Sequence, residues 1–259
     1  MCAWPSHVGR IPQSLPRLAQ WYGAGMKTQI DHLVVVAATL SQGVQWCEDT
    51  LGITPGPGGE HDKQGTHNRL FKIATPAHPM AYFEIIAIHP HADPAVRSKN
   101  ARWFDMDDPV LHAQVARDGP QLIHFVARCP DVQPAMYALG SLGLDCGQVI
   151  KASRPTPEGL LQWRITVRDD GQRLLGGALP TLIQWGEPGE VEPPHPTQTL
   201  PYSGLQLQGL LMTNPTPELL ENACEAIGLA GMQVQNGTPG IRATLQTERG
   251  LVQLSSPPH

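Results

Sequence analysis

The apolar and polar positions of this chain follow one pattern three times. Each copy starts with an apolar strand, turns into an amphipathic helix, and ends at a glycine preceded by leucine or isoleucine. The copies span residues 29–53, 121–144 and 206–229. A repeat of this length predicts supersecondary units that bury their apolar faces against one another. His32 and His124 occupy the same position in the first two strands, and Gly209 takes that position in the third.

Additional strands are predicted after each helix, so that each copy becomes a βαβββ module. In the first copy they lie at 65–73 and 81–88, separated by turns rich in proline and glycine. In the second copy, 151–167 is interpreted as a proline-rich loop leading into a strand with Trp163, and the last strand is 179–185. The pattern therefore predicts an α+β fold in which the third module is degenerate and structural.

Shifts in composition divide the chain into six segments. Residues 91–120 are long enough for a linker or a cover over a site, and Arg102 and Trp103 are the residues within it that we expect to face a pocket. Because the strand pattern begins directly after Met26, we expect the leader to be loosely attached and Met26 to be the natural start. The segments are a leader at 1–27, module one at 28–90, the cover at 91–120, module two at 121–187, a proline-rich linker at 188–201, and module three at 202–256.

The charge balance excludes several classes of partner. The 259 residues include 18 basic and 23 acidic residues, for a net charge of −5, and no basic stripe indicates nucleic acid or an anionic membrane. No apolar run is long enough to span a bilayer. The five cysteines form no CxxC pair, which argues against a structural zinc site and favours a reduced, cytoplasmic location.

Four otherwise apolar strands contain a polar side chain at matched positions. The first strands of modules one and two contain His32 and His124, and the last strands contain Glu84 and Gln184. A carboxylate in an apolar strand is costly unless it is paired or bound to a metal. Two imidazoles and one carboxylate suit zinc, iron, manganese or nickel, and leave positions open for substrate or water. These residues therefore predict a catalytic divalent-metal site.

Strand alternation predicts which of these side chains share a face of their strand. It places His32 on the face of Ile30 and Val34, and Gln184 on the face of Leu182. The competing interpretation is that each histidine is a satisfied core residue and that Glu84 forms an ion pair with an arginine.

These motifs together resemble the vicinal oxygen chelate superfamily, most closely its glyoxalase-like bacterial branch. The resemblance covers residues 28–200 and is more specific as a group than in any one motif. It is carried by IDHLVVVA at 30–37, LGI at 51–53, GTHN at 65–68, YFEIIA at 82–87, SRPTPEGLLQW at 153–163 and LPTLIQW at 179–185. It implies two paired βαβββ modules whose curled sheets enclose a metal-binding cleft.

The resemblance also implies roles for individual residues. It assigns the metal ligands to His32, Glu84, His124 and Gln184, with two substrate oxygens completing the coordination. Family members that isomerise thiohemiacetals have a glutamate base in the last strand of module two, but Gln184 cannot accept a proton. Either Glu84 takes that role by pseudo-symmetry, or the chemistry differs. Further expectations are His67 in GTHN as a ligand or acid/base, and Arg154 and Trp163 as pocket residues beside Arg102 and Trp103.

Three functions remain open at this point. The first is a metal-dependent lyase or isomerase that moves a proton next to a carbonyl of a small-molecule substrate. The second is a ferrous dioxygenase with a facial triad of two histidines and a glutamate. The third is a binding or resistance protein that holds a small molecule without turnover. A homodimer is left open as the assembly.

Overall fold

The computed structural model describes most of the chain. The described ranges are 26–93, 101–156, 159–187 and 193–257. The expected leader therefore lies outside the described residues except for Met26 and Lys27, as do parts of the predicted cover and of the proline-rich linker. Among the described residues, no helix is both long and apolar enough to cross a membrane.

The elements follow the order strand, helix, strands in each of the three copies. The strands are β1 Gln29–Val36, β2 Glu60–His61, β3 Thr66–Lys72, β4 Tyr82–Ile88, β5 Gln121–Arg128, β6 Gln148–Thr156, β7 Gly159–Val167, β8 Thr181–Trp185, β9 Gln206–Asn214, β10 Gln233–Asn236, β11 Gly240–Thr247 and β12 Gly250–Ser255. The helices are α1 Leu40–Leu51, α2 Pro109–Asp118, α3 Val132–Ser141, α4 Pro196–Thr199 and α5 Pro217–Ala226, and a 3₁₀ turn spans Leu174–Gly177. The predicted α+β class is confirmed.

The main helices begin and end where local chemistry favours it. The Thr39 side chain accepts a hydrogen bond from the backbone of Gln42 at the start of α1, and Asp131 caps α3 in the same way. α1 ends at Gly52, whose φ of 77° lies in the left-handed region that glycine adopts at low cost. The Leu51–Gly52 stop predicted from the pattern is thus the one observed.

The first two copies form one curled sheet of eight strands. Its order is β2-β3-β4-β1-β5-β8-β7-β6, and β1 pairs antiparallel with β5 at the centre. Each half has the same pairing, because β1 runs parallel to β4 as β5 runs parallel to β8. Leu33 pairs with Phe125 at the middle of the β1–β5 ladder, where His32 faces Val126 and Val34 faces His124. A pseudo-two-fold axis at this point therefore exchanges His32 with His124.

The third copy forms a separate sheet with a different strand order. Its order is β10-β9-β11-β12, so the first strand of the copy pairs with β10 and β11 rather than with the last strand. In the first two copies the first strand pairs with the last. The third copy therefore shares the order of elements along the chain, but not the strand pairing that shapes the large sheet.

Two apolar cores lie on opposite faces of the large sheet. Alternate residues of β1 divide between them: Leu33 and Val35 belong to one core, and Val34 and Val36 to the other. The first core also contains residues of α1, of α3 and of the third copy, whose strands β11 and β12 contact β5. The second core includes apolar side chains from the described part of the predicted cover, which therefore packs on this face: Trp103, Phe104, Met106, Leu111 and Val115.

One predicted loop is instead a strand. Residues 151–156, expected to belong to a proline-rich loop, are part of β6, which pairs antiparallel with β7 along its whole length. β6 is the last strand of the sheet, and Pro155 is tolerated there because an edge strand has no second neighbour that needs its missing N–H. Proline content alone therefore misled the interpretation.

Candidate active site

A cleft opens between the two halves of the large sheet. Its outer part has a volume of about 710 Å³ and its narrow inner end about 40 Å³. The two parts share lining residues, including His61, Trp103, Arg154, Leu161 and Trp163. The shared lining shows that the narrow pocket is the inner end of the wide cleft.

His32 and Glu84 meet at this inner end. Both side chains are buried and line the inner pocket, and His32 Nε2 lies 3.6 Å from Glu84 Oε2. The parallel pairing of β1 with β4 sets Glu84 beside Val34, close to the imidazole, and the ring of Tyr82 stacks on His32 with a centroid distance of 4.6 Å. The pair is an imidazole and a carboxylate that share one small pocket.

A β-bulge in β1 brings a second carboxylate to His32. The register of the β1–β5 ladder shifts between Ile30 and His32, which breaks the alternation at Asp31. Asp31 Oδ1 lies 2.7 Å from His32 Nδ1, and Asp31 is fully buried. The same shift moves Ile30 into the core on the helix side, so the predicted common face of Ile30 and His32 is wrong.

Asp31 is held in its ionised form. Its Oδ2 accepts hydrogen bonds from Trp185 Nε1 at 2.8 Å and from His195 Nε2 at 3.0 Å. Burial raises the pKa of Asp31, but the hydrogen bonds from His195 and His32 outweigh it and hold the pKa well below its usual range. An ionised Asp31 accepts from His32 Nδ1–H, which leaves Nε2 as the nitrogen that faces Glu84.

β2 and β3 complete the wall of the inner pocket. Asn68 Nδ2 donates to Glu84 Oε1 at 2.6 Å, and Asn68 Oδ1 accepts from the backbone of Gly59 at 2.7 Å. His61 lies next to Asn68 and bonds Thr66 Oγ1 at 3.0 Å. Burial, and then the nearby Arg154 guanidinium, lowers the pKa of His61 to about 3. His61 is therefore neutral at ordinary pH.

The second half of the sheet builds a closed counterpart of this pair. Val34 pairs with Glu84, and its pseudo-symmetric equivalent Val126 pairs with Thr181, so Thr181 occupies the position of Glu84. His124 Nε2 accepts the backbone N–H of Thr181 at 3.1 Å, and its Nδ1 lies 3.0 Å from the Gly177 carbonyl oxygen. Both ring nitrogens are engaged, and His124 is fully buried.

Gln184 lies on the other face of the sheet. Its strand neighbours Ile183 and Trp185 belong to the core on the cleft side, whereas Leu182 belongs to the core on the helix side. Gln184 follows Leu182, and its Oε1 accepts the backbone N–H of Val132 at 3.1 Å, at the start of α3. Alternation was correct in pairing Gln184 with Leu182, but that shared face is turned away from the cleft.

The structure does not bring the four predicted metal ligands together at one point. His32 and Glu84 face one pocket, but the ring nitrogens of His124 and the amide oxygen of Gln184 are engaged by the backbone elsewhere. No group of three or more His, Cys, Asp or Glu side chains with metal-binding geometry occurs in the described ranges. The residues present do not fit the metal centre that the resemblance implies.

The other predicted site residues divide into two groups. Trp103, Arg154 and Trp163 line the cleft and its inner end. Arg102 does not line it, because its guanidinium is buried in an ion pair with Asp107. His67 does not line it either: its ring packs edge-on against His89, with a centroid distance of 4.7 Å, because alternation along β3 turns it away from the Asn68 side.

Sequence reasoning missed Asp31, His61, Asn68 and His195. Asp31 offered a signal, since it is a second ionisable residue in an apolar strand, directly before His32. Asn68 belongs to the GTHN motif. His195 offered no such signal, because it lies in the segment interpreted as a proline-rich linker. In the structure its ring bonds the buried carboxylate of Asp31.

Comparisons with known proteins identify the family. The sequence model of the family described as "Glyoxalase-like domain" matches residues 30–228, and the chain belongs to that family. This confirms the resemblance to the vicinal oxygen chelate superfamily. No curated protein matches the chain.

Several solved structures are similar to this chain at low sequence identity. A hypothetical protein from Staphylococcus aureus is 14% identical, with 88% of each chain covered and a TM-score of 0.54. The methylmalonyl-CoA epimerase of Mycobacterium tuberculosis is 18% identical over 60% of this chain and 85% of that chain, with a TM-score of 0.33. A Streptomyces coelicolor methylmalonyl-CoA epimerase in complex with 2-nitronate-propionyl-CoA is 17% identical over 65% and 99%, with a TM-score of 0.38.

Proposed function

We propose that this glyoxalase-like protein is an enzyme that moves a proton at the carbon next to a carbonyl group of a small substrate. The observation that carries the proposal is the buried pair of His32 Nε2 and Glu84 Oε2, 3.6 Å apart at the inner end of the cleft. Two proton acceptors that face one small pocket suit acid/base catalysis, because one can take a proton while the other returns it.

Glu84 is the proposed base. The carboxylate takes the proton from the carbon, the electron pair of the broken C–H bond forms the enolate, and return of the proton to that carbon restores the carbonyl. Asn68 holds Oε1 of Glu84, which leaves Oε2 directed toward His32. Asp31 fixes the tautomer and the orientation of His32, so that Nε2 faces the reacting groups. Because Nε2 of His32 has no proton in this tautomer, it would accept a hydrogen bond from protonated Glu84 and hold that proton until it returns to the carbon.

The metal-dependent versions of this chemistry have weaker support. A divalent metal in this cleft would find His32 and Glu84 as ready ligands, without the His124 and Gln184 that complete the expected set. A ferrous dioxygenase needs two histidines and a carboxylate on one centre, and His124 is engaged by Thr181 and Gly177 instead. We therefore derive no step through a metal.

Binding without turnover is the second candidate function. It is favoured by the size of the outer cleft, about 710 Å³, which matches the usual range for small-ligand pockets. In that case Glu84 and His32 would hydrogen-bond a ligand. A homodimeric assembly and a cytoplasmic location stay predictions from the sequence.

Deuterium exchange tests the proposal directly. The protein is incubated in D₂O with small aldehydes, ketones and 2-oxo acids that carry a C–H next to the carbonyl, and deuterium uptake at that carbon is followed by NMR. We expect catalysed exchange in at least one compound, reduced about 100-fold or more in Glu84→Gln, since general acid–base groups contribute about 10²–10⁴-fold. The exchange should survive treatment with a chelator.

A matched control separates loss of the base from loss of the fold. Glu225 is exposed on α5 of the third copy, so Glu225→Gln should exchange like the wild type. Equal exchange in Glu84→Gln and wild type would overturn the proposal. Binding of a compound by both proteins without any catalysed exchange would favour the binding function.

A further inference from the structure

Arg154 lies at the junction of the outer cleft and its inner end. It belongs to β6, the edge strand whose proline content predicted a loop. Its side chain lines both parts of the cleft. Among the described residues that line the inner pocket, it is the one arginine or lysine. The inner pocket thus contains one guanidinium and the carboxylate of Glu84.

This guanidinium has no protein partner in the part of the chain that the structure describes. No hydrogen bond or ion pair joins the Arg154 side chain to another described residue, although it is half-buried. Other partly or fully buried arginines of this chain do have carboxylate partners: Arg102 pairs with Asp107, Arg164 with Glu187, and Arg173 with Asp105. A half-buried cation without a carboxylate favours an anion from outside the protein.

The backbone opposite Arg154 is shaped to admit it. A Cβ added at Gly59 would overlap Arg154 Nη1. The loop before β2 therefore has room for the guanidinium because residue 59 has no side chain. The same loop is held by the hydrogen bond from the Gly59 backbone to Asn68, the residue that also binds Glu84. The loop that faces Arg154 is therefore connected to Glu84 through Asn68. Arg154 also acts electrostatically on His61 and on Tyr82, which lines the inner pocket.

The wall beside Arg154 is apolar. Leu161, Trp163 and Ile165 of β7 line both parts of the cleft next to β6. A ligand held by Arg154 would therefore lay a hydrocarbon or flat body against this wall.

We propose that Arg154 binds a carboxylate of the substrate, and that the site takes 2-oxo acids with an apolar body. This inference rests on the proposed function and names its substrate class. A guanidinium binds a carboxylate through two parallel N–H···O bonds, which fixes the orientation as well as the position of the acid. In a 2-oxo acid the carbonyl adjoins the carboxylate, and the carbon that loses its proton is on the far side of the carbonyl. Binding at Arg154 would direct that carbon to Glu84.

The test compares one acid with its uncharged ester. The probes are 4-methyl-2-oxopentanoate and its methyl ester, which share the carbonyl and the aliphatic body. Binding to the full chain is measured by calorimetry at pH 7. The wild type should bind the acid about tenfold or more tightly than the ester, since a hydrogen bond to a charged group contributes about that factor. Arg154→Met, which keeps the length and removes the charge, should bind both equally.

Arg242 supplies the matched control. It is exposed on β11 of the third copy, and Arg242→Met should keep the preference of the wild type for the acid. Arg154→Lys should keep part of that preference, because a lysine retains the charge without the two-pronged geometry. Equal binding of acid and ester by the wild type, no binding of the acid at millimolar concentration, or an unchanged preference in a folded Arg154→Met would each overturn the inference.

The two proposals fail in different ways. Glu84→Gln should retain the preference for the acid while it loses deuterium exchange. A preference that depends on Arg154 in a protein without exchange would leave the anion subsite standing and remove the enzyme. If Glu84-dependent exchange occurred only with neutral carbonyl compounds, the enzyme would stand and the anion subsite at Arg154 would be removed.

Discussion

The two halves of the large sheet place a histidine at equivalent positions and use it differently. His32 keeps one nitrogen toward Glu84 in a pocket, whereas His124 bonds Thr181 and Gly177 with both nitrogens. Phe104 from the cover also packs on the His124 ring, with a centroid distance of 5.2 Å. The duplicated backbone therefore supplies two positions for an imidazole, and the neighbours of each decide whether it faces a ligand or seals a core.

The partner on the last strand differs in the same way. A buried carboxylate such as Glu84 needs polar partners that offset its loss of hydration. Asn68 and the imidazole of His32 are these partners. Thr181 is neutral and needs no such compensation, and both its backbone N–H and its hydroxyl group bond His124 Nε2. The position with the carboxylate therefore lines the inner pocket, and the position with the threonine does not.

The largest contrast is expected between His32→Asn and His124→Asn. His32→Asn removes the imidazole beside Glu84 and should lower the deuterium exchange rate about 100-fold. His124→Asn should leave the exchange rate of the folded protein within about twofold of the wild type and lower the free energy of unfolding by about 2 kcal/mol, because buried hydrogen bonds are lost. Exchange by NMR and urea unfolding measure the two effects, and a comparable loss of exchange in both variants would remove the distinction between the halves.

A smaller contrast is expected in the pH dependence of stability. Burial, with Arg173 nearby, lowers the pKa of His124 from 6.5 to about 3. Between these values the unfolded chain binds more protons at this residue than the folded protein, so stability falls as the pH falls below 6.5. His124 alone should account for a loss of about 2 kcal/mol between pH 7 and 5.

The His124→Asn variant tests this contribution. The free energy of unfolding of each protein is measured in urea at pH 7 and at pH 5. Its decrease from pH 7 to pH 5 should be about 2 kcal/mol smaller in the variant than in the wild type. His61 is present in both proteins and titrates in the same direction, so it cancels in the difference. An identical pH dependence in the two proteins would show that His124 is not buried as the neutral imidazole.

The smallest effect concerns Gln184, which lies behind the sheet. Gln184→Leu removes the acceptor for the backbone N–H of Val132 and should lower the free energy of unfolding by about 1 kcal/mol. Exchange at the site of Glu84 should not change. Gln208→Leu, at an exposed position of β9, is the matched control and should alter neither quantity. A loss of deuterium exchange in Gln184→Leu would contradict the placement of Gln184 on the face away from the cleft.

The sequence by itself determined the repeated elements and the acid/base pair of the candidate site. Apolar periodicity, helix caps and the Leu51–Gly52 stop are local properties, so they survive in any tertiary context and could be predicted. His32 and Glu84 stood out because ionisable side chains are rare in strands that are otherwise apolar. The family resemblance extended these features to the curled sheet.

Only the tertiary structure decided which polar side chains share a pocket. The bulge at Asp31 is a property of the β1–β5 ladder, which strict alternation cannot anticipate. Thr181 rather than Gln184 matches Glu84 because the register of parallel strands depends on pairing between distant residues. His195 reaches Asp31 across more than 160 residues of sequence, and Arg154 faces the cleft because β6 pairs with β7. Such contacts depend on how distant segments pack, and no local pattern of residues encodes them.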